Sequence, residues 1–151
     1  MKPLLNLLAA GLLLSSTTAY AQTSFYDHIT QLWLAGQKQA VLAIAQQRLQ
    51  QDPDDIAGLL IKLQYQIRVI DAVGVAETAP RVVAIGETIT TENFRREFPT
   101  LKHICTRLQA TSAELIANPQ ELERERAKFQ PPTMPLGPAL KALQDDGYFN
   151  R

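Results

Sequence analysis

The stretch that decides the fold is Gly36-Gln37-Lys38-Gln39-Ala40-Val41-Leu42-Ala43-Ile44-Ala45-Gln46-Gln47-Arg48-Leu49-Gln50-Gln51-Asp52-Pro53. Val41, Leu42, Ile44, Ala45 and Leu49 recur at the spacing of one face of an α-helix, and no alternating pattern competes with it. Gly36 permits a tight reversal before this helix. Pro53 disfavours helical geometry in the residue ahead of it, so the helix stops at Gln51 or Asp52. The aspartates that follow, Asp54 and Asp55, are suited to cap another helix. A rod bounded by a glycine hinge and a proline stop needs a rod on each side to bury its stripe.

Both neighbours are present. Upstream, Phe25, Ile29, Leu32 and Trp33 form the stripe of a helix over 24–35, with Ser24 as its N-cap. Downstream, Ile56, Leu59, Leu60, Leu63, Ile67 and Ile70 keep a helical stripe over four turns. Tyr65 and Val69 lie off that stripe, so this helix buries two faces or presents an aromatic to a partner.

Beyond it the punctuation predicts a turn around Gly74. A fourth helix is expected over 79–90, with Thr78 as cap and Pro80 in its first turn. The mix of Val, Ile and Thr there leaves a strand as the alternative. A fifth helix runs to about Ala117 and starts near Pro99 after a short turn from Thr91 to Phe98; its row is Phe94, Phe98, Leu101, Cys105 and Leu108. A sixth, 119–129, is rich in Glu, Arg and Lys and reads as a solvated helix held by local ion pairs. The run Pro131-Pro132-Thr133-Met134-Pro135-Leu136-Gly137-Pro138 forbids regular helix and favours extended backbone. A short helix over 138–145 follows, and Tyr148 and Phe149 fold back onto the body. The expected organisation is therefore a leader (1–21), a helical domain (22–130) and a Pro-rich connector with a C-terminal tail (131–151), in an all-α fold of antiparallel helix pairs.

The leader is a secretory pattern: Lys2, an apolar run from Leu4 to Leu14, then Ala19-Tyr20-Ala21 before an expected cut between Ala21 and Gln22. The apolar run is shorter than the roughly 20 residues that span a bilayer. Export to the periplasm of a Gram-negative bacterium is the expected destination, with no membrane span in the mature chain. Across all 151 residues, 15 basic residues balance 15 acidic ones, which argues against bulk-charge binding of nucleic acid. Cys105, the one cysteine, can form no internal bridge, and its place in an apolar stripe points to a buried, inert thiol.

The segment from Phe25 to Pro53 resembles a tetratricopeptide repeat. Phe25 matches the aromatic of the first helix, Gly36 the turn between paired helices, and Leu49 with Asp52-Pro53 the closing pattern; Leu59 is the equivalent large residue of a degenerate second unit. Ile29, Val41 and Arg48 depart from the family, standing where it has smaller residues. The resemblance implies stacked helix pairs, with a concave groove lined by the first helix of each pair. It thereby implies a protein- or peptide-binding adaptor, with Gln31, Lys62 and Gln66 as exposed contact residues. A dedicated accessory or neutralising subunit for a secreted enzyme or toxin is the alternative.

Other constellations are thinner. Lys102, His103 and Arg107 can share one face and contact an anion. Asp27-His28 and His103-Cys105 diverge on a helix and provide no closed metal set. Neither a Gly-x-Ser-x-Gly elbow nor a phosphate loop is present. The expectation is a non-enzymatic chain with no metal and no cofactor.

Overall fold

A computed structural model describes residues 23–150; the leader and its expected cut at Ala21 lie outside the described residues. Seven α-helices and a closing 3-10 turn follow one another, with no strand among the described residues. They are α1 (Phe25–Leu34), α2 (Lys38–Gln51), α3 (Ile56–Val69), α4 (Ala72–Gly86), α5 (Glu92–Ala117), α6 (Pro119–Ala127) and α7 (Gly137–Asp145), then the 3-10 turn Tyr148–Asn150. The fold is all-α, and α1 to α5 each pack against the next in sequence.

The first three helices form where the periodicity places them. Ser24 Oγ accepts the Asp27 N–H at 3.1 Å, capping α1. Gly36 takes a left-handed φ of 76°, the conformation that a tight reversal demands. Asp55 caps α3 by accepting the Gly58 N–H at 2.9 Å. α2 and α3 come close at Gly58, where an added Cβ would stand 2.9 Å from Leu49 Cγ. Helix α3 is the centre of the molecule: Ile56 to Ile61 and Leu63 are all buried. The off-stripe Tyr65 is half-buried, and its hydroxyl accepts a hydrogen bond from Gln39 Nε2 on α2.

Two expected boundaries are corrected. The turn falls at Ile70-Asp71, not around Gly74, and α4 starts at Ala72. The Asp71 carboxylate accepts the Gly74 N–H at 3.0 Å and so starts the helix earlier than the glycine suggests. Thr78 is a buried residue inside α4 rather than its cap. The strand alternative for this segment does not form. Likewise α5 is one rod of 26 residues that starts at Glu92 and carries Pro99 inside it. Pro80 and Pro99 both sit on the exposed side, where water can satisfy the carbonyls that lose an N–H partner.

The C-terminal segment is part of the core. Leu136, Ala139, Leu140, Ala142 and Leu143 are all buried, and α7 packs on α1, α3 and α5. Two side chains on α1 and α3 hold the Pro-rich connector by its backbone: Trp33 Nε1 and Gln64 Nε2 each donate to the Thr133 carbonyl at 3.1 Å. The Leu136 N–H donates to Gln64 Oε1, also at 3.1 Å. At the end of the chain, Asp146 caps α5 by accepting the N–H groups of Asn93 and Phe94. Phe149 stacks on Phe25 with ring centroids 4.2 Å apart.

Beside that stack lies a bidentate ion pair. Arg48 Nε and Nη2 reach Asp55 at 2.6 and 3.2 Å, and the Tyr148 hydroxyl donates to the same carboxylate. The guanidinium lies over the rings of Phe25, Tyr148 and Phe149. Thus Arg48, which departs from the repeat pattern, is the residue that joins α2, the α3 cap and the C-terminus.

Candidate binding cleft

The residues expected to face a partner are dispersed. Gln31 is exposed and Lys62 half-buried, but Gln66 is buried against α4. Its Nε2 fills the space where a Cβ on Gly74 would fall, 2.6 Å away, and its Oε1 has no hydrogen-bond partner among the described residues. Gln66 is therefore not the exposed contact that the repeat pattern implies; α3 is enclosed on the side that carries it. Moreover, the face of α1 and α3 that bears Trp33 and Gln64 is covered by the connector and α7 rather than open.

Lys102, His103 and Arg107 are all exposed on α5. Lys102 Nζ pairs with Glu87 at 3.1 Å, so one member of the trio already has its anion within the chain. His103 and Cys105 point to different environments, His103 to solvent and Cys105 to the core at 0% exposure. Burial pushes the Cys105 thiol up to about 11, which keeps it protonated and unreactive at neutral pH.

A concavity that the described residues form lies elsewhere. A cleft of about 570 Å³ opens between the C-terminal end of α3, the start of α4, the second half of α5, and α6. Ile67, Ile70, Val75, Leu108 and Leu115 make its floor and walls. Thr111, Ser112, Asn118 and Gln130 supply neutral polar groups. Three carboxylates, Glu114, Glu121 and Glu125, complete the lining, and no Lys, Arg or His among the described residues joins them. A volume of this size lies within the range of ligand pockets, roughly 300–1,000 Å³.

Local sequence explains why the cleft stays open. Asn118 caps α6 through the Glu121 N–H, so α6 turns away from the end of α5 instead of prolonging it. Helix α6 has no buried residue and is held by exposed ion pairs three residues apart, Glu121–Arg124, Glu123–Arg126 and Glu125–Lys128. Arg126 then reaches across to the end of α3, donating from Nε and Nη2 to the Ile70 carbonyl at 3.3 and 3.2 Å.

Ile70 is the unusual residue of this wall. It is the positive-φ non-glycine residue among those described, at φ 53°. It closes α3 in the left-handed geometry in which the Asp71 N–H returns to the Gln66 carbonyl at 2.9 Å. Glycine normally occupies this position, and a β-branched side chain there costs roughly 1–2 kcal/mol. That cost is borne at a residue whose side chain lines the cleft.

Three exposed apolar residues stand next in sequence to lining residues without lining the cleft themselves. Of the four large ones among the described residues, Val73, Ile116 and Phe129 are each the chain neighbour of a cleft-lining residue: Ala72, Leu115 and Gln130. Phe129 is 88% exposed. Sequence reasoning missed this region because α6 reads as a plain solvated helix, and α3 gives no sign that the residue closing it is left-handed. No protein-family model, curated protein or solved structure matches the chain.

Proposed function

We propose that the chain is an exported helical protein that binds a protein or peptide segment in the α3–α6 cleft. The observation that carries this reading is the coincidence, at one concavity, of an apolar floor and a strained Ile70. Strained non-glycine residues cluster at ligand-binding positions, and a largely apolar concavity with a few polar groups is the usual form of a binding site. The reading keeps the helix-pair architecture implied by the tetratricopeptide resemblance but places the contact surface outside the inner face, which the chain itself fills. Export rests on the leader pattern over 1–21, and the processed protein should begin at Gln22.

The test is a photo-crosslinker at Thr111 in the cleft and, separately, at Thr88, exposed just beyond the end of α4. A partner recovered from the native compartment through Thr111 and not through Thr88 supports cleft docking. Equal yields from both positions argue against it. N-terminal sequencing of the same material shows whether export removed 1–21.

Ile70 gives a second measurement. Replacing a half-buried isoleucine with a smaller residue ordinarily destabilises by about 2–3 kcal/mol. Ile70→Gly also relieves the left-handed strain, so unfolding stability should change by no more than about 1 kcal/mol. Partner capture through Thr111 should fall sharply in the same variant, because a wall of the cleft is gone. A full cavity-type loss of stability with unchanged capture would make Ile70 a packing residue only.

A further inference from the structure

The lining of the cleft also specifies the chemistry of its occupant, and this step rests on the docking reading above. We infer that the partner segment is cationic and amphipathic: apolar side chains flanked by Lys or Arg, supplied by a different protein. Glu121 and Glu125 lie one turn apart on α6, and Glu114 stands on α5. All three line the cleft, and the lining residues include no Lys, Arg or His; Arg126 reaches only the Ile70 backbone carbonyl at its edge. Glu121 and Glu125 are paired with Arg124 at 2.9 Å and Lys128 at 2.6 Å, but these are exposed pairs on or beside the same helix and exchange partners at little cost. Glu114 has no ion-pair partner among the described residues.

An apolar segment without charge would cover these carboxylates and remove their water without replacing it, which is unfavourable. An anionic segment would be repelled. A segment that brings Lys or Arg beside its apolar groups satisfies both parts of the lining, and like-signed charges over apolar walls would draw it in. A second copy of this chain is the less suitable occupant. Its densest basic stretch is interleaved with Glu92 and Glu97 and lies beside Glu87, so it would bring carboxylates as well as cations to the cleft.

Three labelled helical probe peptides, built from Leu with Lys, Leu with Glu and Leu with Gln, test the inference by fluorescence anisotropy against the whole protein. The Leu–Lys probe should bind saturably, and the Leu–Glu probe should not. Glu114→Lys combined with Glu121→Lys should weaken Leu–Lys binding by about tenfold or more. The control pair Asp54→Lys and Glu92→Lys carries the same change of net charge away from the cleft, and should leave binding within about twofold of the parent. Equal losses from both pairs, or equal binding of the Leu–Glu probe, overturn the inference. So does concentration-dependent self-association in sedimentation that Glu114→Lys abolishes, because the occupant is then a second copy. If Leu–Gln crosslinks at Thr111 as strongly as Leu–Lys, cleft docking stands and the charge requirement falls. If no probe crosslinks there, the docking reading itself falls.

Discussion

A chain that ends at Gln130 should lose cooperative unfolding altogether. The residues removed include Leu136, Leu140 and Leu143, each buried to within 3% exposure, together with Ala139 and Ala142. Burial of three leucines contributes about 6 kcal/mol by transfer energies alone. That is comparable to the whole stability of an ordinary domain, about 5–15 kcal/mol. The deletion also strips the connector from Trp33 and Gln64 and removes the Asp146 cap from α5. Trp33 is the single tryptophan and is 1% exposed, so its fluorescence reports the event directly. The expected result is a red-shifted emission, retained helical signal and a melt without a sharp transition. The milder Leu143→Ala should lower stability by about 3 kcal/mol while keeping the transition cooperative. If the shortened chain melts sharply with blue emission, the C-terminal segment is a strap laid on a finished domain rather than part of its core.

That outcome bears on how the fold follows from the sequence. Helices α1 to α3 are legible because their stripes are long and the punctuation between them, Gly36 and Pro53, agrees with the periodicity. Local rules fail where tertiary contacts outweigh them. Gly74, Pro80 and Pro99 each look like a boundary, and all three stand inside helices. At Gly74 the Asp71 cap has already started α4, and the missing Cβ makes room for Gln66. The prolines are tolerated because they face solvent. The stripe of Leu136, Leu140 and Leu143 is visible in the sequence, but nothing in its spacing says that it fills the inner face of α1, α3 and α5. The same gap hides the α3–α6 cleft. Which helix faces remain uncovered depends on where α6 and the connector run, and Ile70's left-handed backbone comes from helix closure rather than from any preference of isoleucine.

Asp55→Ala should produce the second large effect, a loss of about 3–4 kcal/mol. Asp55 serves three groups at once: the Arg48 guanidinium, the Tyr148 hydroxyl and the Gly58 N–H at the start of α3. Its removal leaves a half-buried guanidinium without its anion, which is costly in itself. It also removes a helix cap worth about 1 kcal/mol. Burial alone would raise the Asp55 pKa, but Arg48, Tyr148 and the Gly58 N–H outweigh it and hold the carboxyl below its ordinary value. The Tyr148 hydroxyl is pushed up to about 12, by burial first and then by the Asp55 carboxylate. The sign of the pH dependence follows. Because the folded-state pKa of Asp55 is depressed, its contribution is fully present above the unfolded value of 3.8 and is lost as pH falls through the lower folded value. The parent protein should therefore lose stability more steeply below about pH 4 than Asp55→Ala, and the two curves should converge at low pH. Tyr148→Phe separates the contributions: it keeps the ring on Arg48 but removes the hydroxyl, so it should cost only about 1 kcal/mol. Urea melts of the three proteins at neutral and acidic pH make the comparison. Parallel curves for the parent and Asp55→Ala would mean that Asp55 acts through packing and not through its charge, and that the link between Arg48, the α3 cap and the chain's last turn is held by the aromatic stack alone.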